Sequence, residues 1–316
     1  MFLIPGVPQW MLWTGFLLII FIFLALDLGI FHKKNKTVSI KEAVIWSIVW
    51  FTMAMIFNAF IWYYAGSTTA LEFFTGYIIE KSLSVDNLFV ILMIFTSFHI
   101  AAHLQHKALF YGILGALVFR GVLIGVGSVV VNTFNWVLYI FGAFLVLTGI
   151  KFFFETEKEF DHEKHIVVRW AKKIMPVSTD LTHERFFVRE GEKLAMTVLF
   201  LAVVVIEFSD IIFAFDSIPA IFAITTDPFI VFTSNVFAIL GLRSLYFVVA
   251  KLHDLFVHLK YGLAIILIFV GTKMLIAHYF HIPIGVSLGV VFGVLVTTII
   301  TSIMFHKKEP VDYKHE

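Results

Sequence analysis

Residues 194–224 read LAMTVLFLAVVVIEFSDIIFAFDSIPAIFAI, thirty-one positions that hold three carboxylates and no base. Roughly 20 apolar residues cross a bilayer as a helix. A charge at the bilayer centre costs about 2.5–3.5 kcal/mol even on the lenient insertion scale. A stretch this apolar that still carries Glu207, Asp210 and Asp216 therefore holds them for a partner or a ligand. Its reading as a membrane span with a polar site sets the fold class for the rest of the chain.

Composition agrees. Of 316 residues, 60% are hydrophobic and 14% are charged, with mean hydropathy +0.96. Soluble domains carry about 25% charged residues, so lipid is the solvent that fits. Apolar runs lie near 11–31, 43–64, 73–98, 108–132, 134–153, 194–224, 229–250, 261–280 and 283–305. In lipid only helices or closed barrels satisfy the backbone, and these runs are too long and continuous for barrel strands. The expected fold is all-α, one polytopic membrane domain over residues 1–316 with about nine transmembrane helices. Residues 154–193 are polar and read as a soluble loop, with a short amphipathic helix around Ile166–Ile174. A net charge of +1, with no basic aromatic stripe, gives no sign of nucleic acid. The absence of cysteine excludes disulfides, thiolate zinc sites and iron–sulfur clusters.

Basic residues orient the spans. None precedes the first apolar run, and Lys33, Lys34 and Lys36 follow it, which reads as a retained span with its N-terminus outside. The inner segments are then 32–42, 99–107, 151–193, 251–260 and the tail 306–316. They hold 4, 1, 9, 2 and 3 Lys plus Arg, which is 19 of 23, and the outer loops hold none. The C-terminus is expected in the cytoplasm.

The chain also repeats itself. Glu80-Lys-Ser-Leu-Ser-Val-Asp86-Asn87 in the third span is matched by Asp210-Ile-Ile-Phe-Ala-Phe-Asp216-Ser217 in the sixth. Gly112-Ile-Leu-Gly-Ala-Leu-Val-Phe-Arg120 is echoed by Ala238-Ile-Leu-Gly-Leu-Arg243, and the pair Tyr139 and Lys151 by Tyr261 and Lys273. The units are spans 3–5 (73–153) and 6–8 (194–280), separated by the cytoplasmic loop 154–193. Three spans per unit is an odd number, so the second copy must be inverted. Transporters built this way place their site near the midplane, where the repeats meet.

Six acids fall within spans: Asp27, Glu80, Asp86, Glu207, Asp210 and Asp216. Four bases, Lys81, Arg120, Arg243 and Lys273, leave a balance of 4 − 6 = −2. A divalent cation or two protons would close it. The candidate metal site is Glu80, Asp86, Glu207, Asp210 and Asp216, with Asn87 and Ser217 as neutral donors and Asp27 in support. Arg120 and Arg243 are the expected charge partners of the acids, and Lys81 a partner for Glu80. Positions six apart lie about 120° apart on a helix, so each acid pair needs a bent or broken helix to converge. Pro219 is the expected break. Carboxylate, amide and hydroxyl oxygens suit Mg²⁺, Ca²⁺ or Mn²⁺. The histidines, among them His32, His99, His103, His106, His258 and His306, sit at span ends and in loops. No nucleotide motif and no Ser–His or His-rich catalytic pattern stands out, so no enzyme is expected. A proton gradient or membrane potential would drive any transport.

These strings resemble the TerC family of integral membrane proteins, its longer members in particular. The likeness rests on Glu80 to Asn87, on Glu207-Phe-Ser-Asp210-Ile-Ile-Phe-Ala-Phe-Asp216-Ser-Ile-Pro219-Ala, on Phe237-Ala-Ile-Leu-Gly-Leu-Arg243 and on Lys260-Tyr-Gly-Leu-Ala. It implies a bacterial inner-membrane protein, associated by family with tellurium resistance and with Mn²⁺ export or delivery of Mn²⁺ to exported proteins. The family's acidic motif positions correspond to the same five acids. The resemblance implies no prosthetic group, only Mn²⁺ bound or carried. The expected partners are the bilayer and the ion, with a second copy or a secretion-machinery component left open. The competing expectation is a non-transporting member of a tellurite, pH or redox stress-response or secretion-linked complex, with the acids merely paired to Arg120 and Arg243.

Overall fold

The computed structural model describes residues 8–31, 39–134, 136–154, 165–178, 185–190, 193–251, 259–277, 279–280 and 282–304. The basic segment 32–38, the charged stretch 155–164 and the tail 306–316 lie outside the described residues, as does the side chain of Asp27.

Among the described residues eleven helices carry the fold: α1 (Gln9–Phe31), α2 (Ile40–Ala65), α3 (Ser67–Ser97), α4 (Ala102–Thr133), α5 (Val137–Phe154), α6 (Ile166–Ile174), α7 (Val198–Phe222), α8 (Pro228–Leu240), α9 (Leu242–Lys251), α10 (Leu259–Ile276) and α11 (Ile284–Met304). Their starts follow from short polar side chains that satisfy the first free N–H groups. Ser39 accepts from the Glu42 N–H at 3.2 Å, and Thr197 accepts from the Phe200 N–H at 3.3 Å. Asp227 accepts from Phe229 and Ile230 ahead of α8, whose first residue is Pro228. Gly66, at φ +91°, lets α2 turn directly into α3.

Side chains are sorted for lipid. Leu18, Ile45, Val129 and Leu147 face outward, whereas Glu80, Ser84, Thr233 and Asn235 are fully buried. An apolar skin over a polar interior is stable only where the solvent is hydrocarbon. Among the described residues six helices are long and apolar enough to cross a membrane, or seven if the bent pair α8 and α9 counts as one span. The all-α polytopic expectation holds at that level. Of the nine expected spans, those carried by α1 and α3 are not among these.

The polar stretch 154–193 contains the amphipathic helix α6 where the sequence placed it. It also contains a hairpin that the all-α reading lacks: β1 (Phe187–Glu190) pairs antiparallel with β2 (Lys193–Met196), Phe187 opposite Met196. The sixth span accordingly starts at Val198, after the Thr197 cap, and not at residue 194. A second correction concerns the expected break. Helix α7 runs through Pro219, because a proline this close to the end removes one bond only, and the Ala223 N–H still reaches the Pro219 carbonyl at 3.0 Å. The break falls in the next span, at Gly241, where α8 and α9 bend by 47°.

Packing centres on four helix pairs: α5 with α10, α3 with α8, α4 with α7, and α3 with α7. The α5–α10 crossing is backbone against backbone. A Cβ on Gly142 would fall 2.9 Å from the Gly271 carbonyl, and one on Gly149 would fall 2.8 Å from the Ala264 carbonyl. Gly142 and Ala264 stand three residues after the matched tyrosines Tyr139 and Tyr261, and Gly149 and Gly271 stand ten after them. The two contacts are thus the same contact with the helices exchanged.

Candidate functional site

At the crossing of α3, α4 and α7 one buried guanidinium holds two carboxylates. Glu80 is the fourteenth of 31 residues in α3 and Asp210 the thirteenth of 25 in α7, so both lie near mid-helix. Arg120 of α4 is 1% exposed and ion-pairs with Glu80 through Nη1. Its other edge takes Asp210 in a two-pronged grip, Nε to Oδ2 at 3.0 Å and Nη2 to Oδ1 at 2.7 Å. A planar guanidinium matches a carboxylate this way, which a lysine could not do. Ser217, two turns beyond Asp210 on α7, brings its Oγ to 3.5 Å from Nη1. Glu80 and Asp210 head the two similar sequence strings, so Arg120 sits between the positions those strings match.

Glu207 lies one turn before Asp210, close enough for their charges to interact. Its carboxylate rests against Gly115 of α4, where any Cβ would overlap it. One oxygen of Glu80 and one of Glu207 are buried with no hydrogen-bond partner. In ionised form the three acids and Arg120 sum to −3 + 1 = −2. Beside them α3, α4, α7 and the α8–α9 bend enclose a cavity of about 30 Å³, lined by Asn87, Gly112, Ala116, Asp210 and Ile239 among others. That is room for one or two water-sized guests.

The remaining candidates are placed elsewhere. Asp216 faces α5, within hydrogen-bonding reach of Thr148 and electrostatic reach of Lys151. Asp86 is half-buried on α3, which is unbroken, so the 120° offset from Glu80 persists. The acids that reach Arg120 are Glu80 and Asp210. Among the described residues no three Asp, Glu or His side chains are grouped to hold a metal ion. The expected partnership of Lys81 with Glu80 is not made: the Lys81 ammonium donates to the Ala238 carbonyl at 3.1 Å. That carbonyl is available because the bend at Gly241 interrupts the helix ladder, and the bare Gly241 leaves room for the ammonium. Arg243 is buried on α9, near His106.

Sequence reasoning passed over several of these residues. Gly115 and Gly241 occur in the matched Ile-Leu-Gly strings, which was the available signal for two notches that each take a charged side chain from another helix, Glu207 at Gly115 and Lys81 at Gly241. A second polar group joins Glu72 of α3, Thr225 and Asp227 before α8, and Lys273 of α10. Lys273 was visible as an intramembrane base, whereas Glu72 lies just outside the expected span.

The fold and site define a polytopic helical membrane protein with a charged centre buried between its packed helices. The chain belongs to the TerC family of integral membrane proteins, whose profile matches residues 65–310. It is 48% identical over 320 residues to the protein of Shigella flexneri named "Putative membrane-bound redox modulator Alx", covering 98% of each chain. The protein of that name from Escherichia coli K12 is also 48% identical, over 98% of this chain and 97% of its own. An "Uncharacterized membrane protein STKORF319" of Myxococcus xanthus is 47% identical, over 97% of this chain and 96% of its own. No solved structure matches the chain.

Proposed function

We propose that this protein is a secondary transporter that exports a hard divalent cation, Mn²⁺ in the first instance, across the bacterial inner membrane. The observation that carries the reading is the mid-helix centre itself: matched acids Glu80 and Asp210 on one buried guanidinium, with spare oxygens on Glu80 and Glu207. A net charge of −2 in hydrocarbon is costly, and one divalent ion balances it. Oxygen donors alone select a hard ion. Manganese comes from the family likeness.

In this reading Arg120 holds Glu80 and Asp210 while no ion is bound and yields one of them as the ion arrives. Protons taken up by the carboxylates replace the ion as it leaves. The nine-span arrangement, N-terminus outside and C-terminus inside, belongs to the same proposal. So does the inverted repeat, which the exchanged α5–α10 contacts support: α3 packs on α8 as α7 packs on α4. The test is Mn²⁺ flux in proteoliposomes at set pH gradients. Glu80→Gln and Asp210→Asn are expected to abolish it, and flux equal to wild type in both variants would sink the reading.

A second reading rests on the same ion pairs. If Glu80, Arg120 and Asp210 serve only to join three helices, the protein is a structural member of a stress-response complex. The curated relatives' name speaks of redox, and this chain has no cysteine to carry thiol chemistry itself. On that reading the liposomes move no metal, and a variant with all three residues neutralised keeps its function in cells.

A further inference from the structure

The walls of the small cavity fix the phase of each surrounding helix. Asn87 and Leu88 line it from α3, Ala116 from α4, and Ile239 from α8. Helices α3 and α8 run parallel, since Gly76 meets Ser234 and, further along, Lys81 meets the Ala238 carbonyl. Residues one turn apart share a face. Asn235 and Ile239 are one turn apart and share a side of α8, and the Gly76–Ser234 contact sets Asn235 level with Tyr77 of α3. Glu80 lies one turn after Gly76 on the same face of α3, its side chain leans toward the N-terminal end of that helix, and it is bonded to Arg120. Asn235 therefore stands within one turn of the charged centre, on its α8 side.

Asn235 is fully buried, and neither its Oδ1 nor its Nδ2 has a hydrogen-bond partner. The same holds for the Ser84 Oγ, and Glu80 keeps one oxygen free beside it. An amide hidden from solvent with both ends unsatisfied is rare in folded proteins and points to a group that joins it in another state of the molecule. The neighbouring hydroxyls do not share this condition. Thr233 and Ser234 bond the carbonyls of their own helix.

We infer that Asn235 is a direct ligand of the transported cation, its amide oxygen acting with the free oxygen of Glu80. The inference rests on the transport reading above. A neutral donor is what the charge balance asks for, because the −2 of the acids and Arg120 already offsets the +2 of one divalent ion. Asn235 adds a coordinating oxygen without adding a charge that would trap the ion.

The test is Mn²⁺ binding to the purified full-length chain in detergent, read from loss of the free-ion electron paramagnetic resonance signal. Asn235→Leu is expected to weaken binding at least tenfold, while Thr233→Val, which removes a hydroxyl bonded within α8, leaves it unchanged. Wild-type affinity in a folded Asn235→Leu protein overturns the assignment and leaves the transport reading standing. No binding by the wild type overturns both. If Asn235→Leu does not fold, Asn235→Asp decides, being of the same size. Binding tighter than wild type, with a new dependence on pH, supports the assignment, and unaltered binding overturns it.

Discussion

Removing the guanidinium of Arg120 leaves two carboxylates without their counter-charge, and the cost follows from where they sit. Glu80 is fully buried and the Asp210 side chain is 14% exposed, so water can rescue neither well. Breaking a buried ion pair by deleting one partner typically costs 3–5 kcal/mol, because a charge is left uncompensated. Arg120→Met keeps the length of the side chain and removes only its charge and donors. An expected loss of about 4 kcal/mol corresponds to nearly three decades in the unfolding constant, at 1.4 kcal/mol per decade. The triple variant Glu80→Gln, Arg120→Met, Asp210→Asn removes all three charges together. It is expected to recover to within roughly 2 kcal/mol of wild type, since neutral replacement of buried ions is often near cost-free. The assay is reversible unfolding by dodecyl sulfate in mixed micelles, followed by the fluorescence of the seven tryptophans. A single-variant loss below about 1 kcal/mol, or a triple variant no better than the single, would show that the three residues do not act as a unit.

The same titration tests other contacts. Gly142→Ala and Gly271→Ala place a methyl against a backbone carbonyl that cannot turn aside, and each is expected to cost about 1–3 kcal/mol. Gly125→Ala meets nothing within 4 Å and is expected to be neutral or to gain up to about 1 kcal/mol from helix propensity. Lys81→Met strips the Ala238 carbonyl of its donor, for about 1–3 kcal/mol. Asp227→Ala removes the cap of α8 and is expected to cost about 1 kcal/mol, with Asp227→Asn close to wild type. In Mn²⁺ flux, Asp216→Asn is expected to retain more activity than Asp210→Asn, because Asp216 faces α5 and not Arg120.

The sequence told most about what is written in composition and least about what depends on how one helix is turned toward another. Hydropathy located the spans because lipid demands apolar length, and α6 was legible because its charges alternate with its apolar face. Glu80, Asp210 and Arg120 were legible as members of a larger set, six acids and four bases, from the scarcity of intramembrane charge alone. Which base takes which acid was not. Lys81 lies next to Glu80 in sequence, yet its ammonium reaches across to a carbonyl released at Gly241. The 120° offset between the paired acids was read correctly, but convergence was expected through a break at Pro219, and α7 stays whole. Proline position relative to the helix end decided that outcome, and the end was the least certain quantity. The β1–β2 hairpin was hidden because its strands are four residues each and sit in a loop dense with charge.

The reciprocal glycine crossing has a mechanical consequence. At two points α5 and α10 meet backbone to backbone. Surfaces meshed that closely neither roll nor slide without rupture. The two helices are therefore pinned to each other, and the three-helix units proposed above, each of which one of them would close, are not free to rock as rigid halves, which is one common way of exposing a site to alternate sides of a membrane. Any such exposure must come from a part that moves while α5 and α10 stay fixed.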